Sequence, residues 1–225
     1  VARLRETLGI PEGTVAILYA PAHRDYRRTQ RSALDLERVV RRLGPRFMVL
    51  ARAHPGHDVR PAAPAGRVLD VSGHPSVESL CLASDALVTD YASLMFDYAG
   101  LDRPIVLHAD EPEAFEAARG TYVDLRSVPP GPIARDEDEL IAVFAGGDWY
   151  GARSTRLRAE FRERFCPYDD GHAAERVVRR VVLGQTRLPP VVPLGARRPP
   201  AAAVARTPLA TVPQPAGPRT VTDSL

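Results

Sequence analysis

Short apolar runs, each the length of a buried strand, recur through the first half of the sequence and alternate with helical patterns. They read "TVAILYA" (14–20), "RFMVLAR" (46–52), "GRVLDVS" (66–72), "DALVTD" (85–90) and "RPIVLHA" (103–109). Runs that are apolar almost throughout, rather than at every second residue, belong to strands covered on both faces. Between them, "RSALDLERVVRRL" (31–43) sets Leu34, Val39, Val40 and Leu43 near one helical face. "SVESLCLAS" (76–84) is a helix opened by Ser76, with Glu78 in its first turn, and "ASLMFDYAGL" (92–101) is another. Strand and helix alternating through short loops predict an α/β fold, a Rossmann-like parallel sheet with helices on both faces and right-handed crossovers. Further on come a short helix around "EPEAFEAA", a strand-like "GTYVDL", and helices in "RDEDELIAVFAG", "RSTRLRAEFRERF" and "DGHAAERVVRRVV".

Periodicity stops near Gly184. Residues 1–184 are expected to fold, and residues 185–225, rich in Pro, Ala and Arg, to form a disordered tail or linker. The chain opens on Val1 rather than Met and without a signal-peptide core, which predicts a trimmed chain or fragment. No apolar stretch approaches the roughly 18 residues of a membrane span. A net charge of +2 gives nucleic-acid binding no support. Cys81 and Cys166 lack metal or disulfide spacing; Cys81, in a helical pattern, reads as a small core residue, and a reducing compartment is the default. All 30 basic side chains are Arg, so a phosphate here must be held by Arg, His, hydroxyls or backbone N–H groups.

In open parallel sheets ligands bind beyond the carboxyl ends of the strands. The unusual polar residues stand at those ends: "APAHRD", "AHPGH", "TDYAS" and "HADEPEAF". In "TDYAS", Asp90 and Ser93 have two readings. Either one caps the following helix, or the helix start offers its unpaired N–H groups to an anion, with small Ala92 and Ser93 admitting it closely. Local sequence by itself favours the cap. His54, before Pro55, can donate to a phosphate oxygen or protonate a leaving group, although local sequence by itself favours an ordinary loop histidine. His57 is a weaker candidate. His23 and Arg24 follow the first strand, and an Arg fork suits a diphosphate, although many such arginines are only solvated. Arg119 precedes Gly120 in a possible ligand loop or plain turn. Asp169 and Asp170 read as helix caps. Dinucleotide, P-loop, zinc-protease and nucleophile-elbow signatures are absent, and the carboxylates of 110–116 have no metal spacing.

Taken in order, "ILYAPAHRD", "RAHP", "SDALVTDYASLMFDYAGLDRPIVLH", "ARGTYVDL", "PPGPIA" with "EDELI", and "FCPYDDGHAAERV" resemble the CDP-glycerol glycerophosphotransferase family of teichoic-acid synthesis. The resemblance spans roughly residues 14 to 182. It implies the C-terminal, donor-binding half of a GT-B-type glycosyltransferase architecture, in which two Rossmann-like halves face a cleft. It further implies transfer of glycerol phosphate from a CDP-glycerol donor to a hydroxyl of a polyol-phosphate or lipid-linked acceptor, releasing CMP. No cofactor, metal or nucleic acid is implied. The expected location is cytoplasmic, at the inner face of the cell membrane, with peripheral membrane association through parts outside this chain. Carried over residue by residue, His54 is the catalytic candidate. Arg24, Asp90, Ala92, Ser93 and Arg119 are the donor-binding candidates. The chain departs from the family at Ala92, where a serine is usual, and at Ala22 and His23, where Thr and an aromatic residue are usual. The alternatives are a GT-B enzyme using another nucleotide sugar and a non-catalytic nucleotide-binding remnant.

Overall fold

Strands apolar on both faces need cover on both sides, and the sheet receives it. The computed structural model describes residues 1–22, 34–53, 66–110 and 112–197. Its elements are α1 (Ala2–Thr7), β1 (Val15–Tyr19), α2 (Leu36–Leu43), β2 (Phe47–Ala51), β3 (Val68–Asp70), α3 (Val77–Ala83), β4 (Ala86–Thr89) and α4 (Leu94–Ala99). They continue as β5 (Ile105–His108), α5 (Pro112–Arg119), β6 (Ile133–Ala134), α6 (Glu137–Ala145), α7 (Ala152–Phe165) and α8 (Ala173–Val177). The strands form one sheet in the order β3-β2-β1-β4-β5-β6, every pair parallel. Strand order therefore reverses between β1 and β4, the place where such a sheet opens a crevice at its carboxyl edge.

Alternate residues of each strand feed two separate cores. Leu18, Leu50, Leu87 and Leu107 meet Leu80, Met95, Tyr98 and Phe161 from α3, α4 and α7. Ile17, Val49, Val88 and Val106 meet Val40 of α2 and Leu140 and Phe144 of α6 on the other face. This is the doubly wound α/β arrangement that the apolar runs predict. Cys81 and Cys166 are free and buried within the first core. Burial pushes their thiols up to about 12 and about 11, which makes them packing residues rather than nucleophiles.

The amino edge of the sheet is locked by charge. Arg5 of α1 donates to Asp85 at 3.0 Å, to the carbonyl of Thr14 at 2.6 Å and to that of Ala83 at 2.7 Å. Asp85 also accepts the Ala16 N–H at 2.8 Å, tying the starts of β1 and β4.

Four expectations change. The helix expected from residue 31 begins at Leu36, because the Asp35 carboxylate caps it by accepting the Arg38 N–H at 3.0 Å; residues 31–33 lie outside the described residues. "GTYVDL" is not a strand: Asp124 accepts from the Arg126 N–H and the Ser127 hydroxyl, winding the chain into turns. The sixth strand is instead the two-residue β6, inside the Pro-rich "PPGPIA", where Gly131 passes so close to β5 that a Cβ would stand 1.9 Å from the Ile105 carbonyl oxygen. Finally, ordered contacts run past Gly184. Arg197 donates to the Cys166 carbonyl at 2.9 Å, and the Val192 N–H donates to Asp170 at 2.9 Å, so residues 185–197 pack on the end of α7. Residues 198–225, the remainder of the expected tail, lie outside the described residues.

Candidate functional site

The four-residue β4 is buried throughout and delivers its last side chains to the crevice between β1 and β4. Thr89, 1% exposed, donates its hydroxyl to the Ala20 carbonyl at 2.7 Å. Asp90, 2% exposed, accepts two backbone N–H groups on one carboxylate oxygen, from Ala22 and from Tyr91, each at 2.6 Å. The first bond spans the switch point and fixes where the β1 exit lies against the β4 exit. Asp90 thus shapes the crevice and does not cap α4.

After Asp90 the chain turns through Tyr91, half-buried Ala92 and exposed Ser93 into α4. Ser93 occupies the N-cap position yet its side chain makes no capping bond. The first bonds of the turn come from Met95 to Ala92 and from Phe96 to Ser93, so the N–H groups of Ser93 and Leu94 precede any intrahelical acceptor. Of the two readings open in the sequence, the side-chain cap is not formed. The turn carries two small residues, Ala92 and Ser93.

Across the crevice mouth, α5 follows β5. Phe115, its buried side chain, stacks on the Tyr91 ring with centroids 4.2 Å apart and planes 23° from parallel. Arg119 closes α5 one turn later, on the same side as Phe115. Gly120 follows with φ +70°, and Tyr122 is fully exposed.

His23, Arg24, His54 and His57 lie outside the described residues. What is described is the platform before His54. Arg52 donates its N–H to Tyr19 and its guanidinium to the His74 carbonyl, both at 2.9 Å. The Ala53 N–H donates to the Ser72 hydroxyl at 2.9 Å. The chain therefore leaves β2 firmly held, two strand spacings or about 10 Å from the β4 exit. Asp90, Ala92 and Ser93 thus share one turn, and Arg119 lies one helical turn beyond the Phe115 ring that stacks on Tyr91. Sequence reasoning missed Tyr91 and Phe115; the available signal was a lone large apolar residue in an acidic helix.

The carboxylate pair before α8 also reads differently in three dimensions. Asp170 does not cap that helix but binds Arg176 through two contacts of 2.8 Å. Among the described residues no group of His, Cys, Asp and Glu is arranged to hold a metal ion, and no helix is long and apolar enough to cross a membrane.

Residues 1–183 match the family described as CDP-glycerol:poly(glycerophosphate) glycerophosphotransferase. The chain is 31% identical over 185 residues to the teichoic acid glycerol-phosphate transferase of Staphylococcus aureus (strain NCTC 8325 / PS 47), covering 79% of this chain and 48% of that protein. It is 30% identical over 186 residues to the teichoic acid poly(ribitol-phosphate) polymerase of Bacillus spizizenii (strain ATCC 23059 / NRRL B-14472 / W23), covering 77% of this chain and 28% of that one. Among solved structures, a variant of the wall teichoic acid polymerase TagF soaked with CDPG superposes with a TM-score of 0.66 at 29% identity, over 78% of this chain and 43% of that one. The chain thus spans half or less of the length of these relatives, and its sheet corresponds to one Rossmann-like half of a GT-B-type architecture.

Proposed function

The chain belongs to the CDP-glycerol:poly(glycerophosphate) glycerophosphotransferase family, and on that premise we propose that it supplies the donor site for transfer of glycerol phosphate from CDP-glycerol. The acceptor is a hydroxyl of a teichoic-acid-type polymer or its membrane-linked primer. The observation that carries this reading is the Asp90 staple. It fixes the β4–α4 turn, with its small Ala92 and Ser93 and no Ser93 side-chain cap, at the switch point, and Arg119 closes the helix whose Phe115 stacks on Tyr91.

The chemistry follows from charge. The acceptor oxygen forms a bond to the phosphorus that carries glycerol, the bond from that phosphorus to the CMP oxygen breaks, and CMP departs with the electron pair. The acceptor's proton passes to a base outside the described residues. Phosphoryl transfer needs little from a protein except positioning and stabilisation of charge on the phosphoryl oxygens. The amides of Ser93 and Leu94 and the guanidinium of Arg119 answer that need, with Arg24 as a second fork for the diphosphate. His54, one residue beyond the anchored Ala53, neutralises or protonates the CMP phosphate as it leaves. Since the chain has no Lys, its own positive side chains at the site are Arg and His.

Thermal stabilisation by a panel of nucleotides tests the reading. CDP-glycerol and CDP should raise the melting temperature, and UDP-sugars should not. Stabilisation by a UDP-sugar alone overturns the proposal in favour of another nucleotide-sugar donor. A preference for CDP-ribitol over CDP-glycerol moves the donor to the ribitol series, the polymer named for the B. spizizenii relative.

A further inference from the structure

On the helix that carries Arg119, Phe115 is the single buried side chain from Glu113 to Arg119. The ring it rests on belongs to Tyr91, whose backbone N–H is fixed by Asp90 at 2.6 Å. A continuous path therefore runs from the β1 exit at Ala22, through Asp90 and Tyr91, to Phe115 and one turn on to Arg119. We infer that the Tyr91–Phe115 stack is a positioning contact for the donor, setting the distance between the β4–α4 turn and Arg119. Neither ring touches the reacting atoms in this scheme; both act through Arg119. The inference rests on the donor-site reading above.

An anion held from two sides is sensitive to the separation of those sides. The turn is fixed by the sheet, and the Tyr91–Phe115 stack ties α5 to that turn. Replacing Phe115 by Leu keeps an apolar side chain but removes the flat ring, so α5 loses its defined seat while both sheet cores stay intact. Phe115→Tyr keeps the ring and should keep the function.

Calorimetric titration of the chain with CDP-glycerol provides the test, using wild type, Phe115→Leu, Phe115→Tyr, Arg119→Ala and the Phe115→Leu/Arg119→Ala double variant. Phe115→Leu should weaken binding about fivefold, the size of a lost aromatic pair, with Phe115→Tyr within about twofold of wild type by the same scale. The double variant should bind no more weakly than Arg119→Ala alone, because the ring acts through that arginine. Additive losses, or wild-type affinity in Phe115→Leu, overturn the inference. A second arm needs no ligand: tryptic cleavage after Arg119, followed by mass spectrometry, should speed up in Phe115→Leu at an unchanged melting temperature. An unchanged cleavage rate shows that the stack does not seat α5 and also overturns the inference. A wild type that binds neither CDP-glycerol nor CDP overturns the donor-site reading and the ligand half of this inference, and the cleavage arm then decides the seating of α5 separately.

Discussion

Asp90 holds Ala22 across the strand-order reversal, its carboxylate oxygen 2.6 Å from the Ala22 amide nitrogen. The same oxygen takes the Tyr91 N–H, so one buried side chain sets both lips of the crevice. Asp90→Ala leaves two amides without that acceptor and should cost about 2–6 kcal/mol, from about 1–3 for each polar group left unsatisfied. Asp90→Asn keeps the oxygen and should cost clearly less. Urea unfolding of the three proteins checks this, and equal midpoints for Asp90→Ala and wild type would contradict it.

The sheet was legible because each strand is an uninterrupted apolar run, and such runs have few alternatives to a doubly covered parallel sheet. β6 was hidden, since two residues among prolines carry no period, and its place is set by contact with β5. The strand expected at "GTYVDL" failed because Asp124 supplies local acceptors that compete with a ladder. The site was legible only in part. Polar residues at strand ends point to the carboxyl edge, and the family resemblance to particular positions on it. The Tyr91–Phe115 pairing, between residues far apart in sequence, leaves no trace in local pattern. Nor did the sequence show that Asp90 faces backbone amides across the switch point.

Arg5 and Asp85 form a buried pair at the opposite edge, 3.0 Å apart. Burial holds the Asp85 carboxyl above its ordinary range, in spite of the Ala16 N–H and the Arg5 charge. Removing the cation leaves a buried carboxylate poorly compensated, and Arg5→Met should cost about 3–5 kcal/mol at neutral pH. A group raised in the folded state contributes stability at low pH that is lost as the pH rises through its folded value. Loss of Arg5 raises it further, so the deficit of Arg5→Met should shrink toward about pH 4, where an unfolded Asp is half protonated. Adding Asp85→Asn should recover part of the loss at neutral pH. Denaturant midpoints across pH would refute this if the deficit grew on acidification.

Asp170 has the opposite sign. Two contacts from Arg176 and the amides of His172 and Val192 hold its carboxyl well below the usual carboxylate range, the Arg176 contacts first. A depressed group contributes stability that is present above its unfolded value and disappears as the pH falls through its folded value. Asp170→Asn should therefore melt below wild type at neutral pH, and the gap should close as the pH drops below about 4. Melting curves from neutral to strongly acid pH decide it; a gap independent of pH would exclude this pairing as the cause.

His54 follows an anchored strand exit and is proposed to act on the departing phosphate. In the complete enzyme, His54→Ala should leave CDP-glycerol affinity within a few-fold of wild type and lower turnover by about 100-fold or more, the lower range for a positioned general acid. Steady-state release of CMP, measured beside direct donor binding, separates the two effects. Turnover that survives within a few-fold removes His54 from the chemistry.

Ala92 stands at the centre of the turn, where the family usually has serine, with exposed Ser93 beside it and no side-chain cap below. In the proposed donor site, a hydroxyl at position 92 would add a donor beside Ser93 and the turn's backbone amides. One new hydrogen bond to a bound phosphate contributes about 0.5–1.5 kcal/mol net. Ala92→Ser should therefore tighten CDP-glycerol binding by roughly 2- to 10-fold on the same scale. It should not raise the melting temperature of the free protein, because nothing in the turn awaits that hydroxyl. Titration calorimetry of donor against both proteins measures the gain. Unchanged affinity would mean that the diphosphate does not approach this turn, and would move the donor site elsewhere along the carboxyl edge.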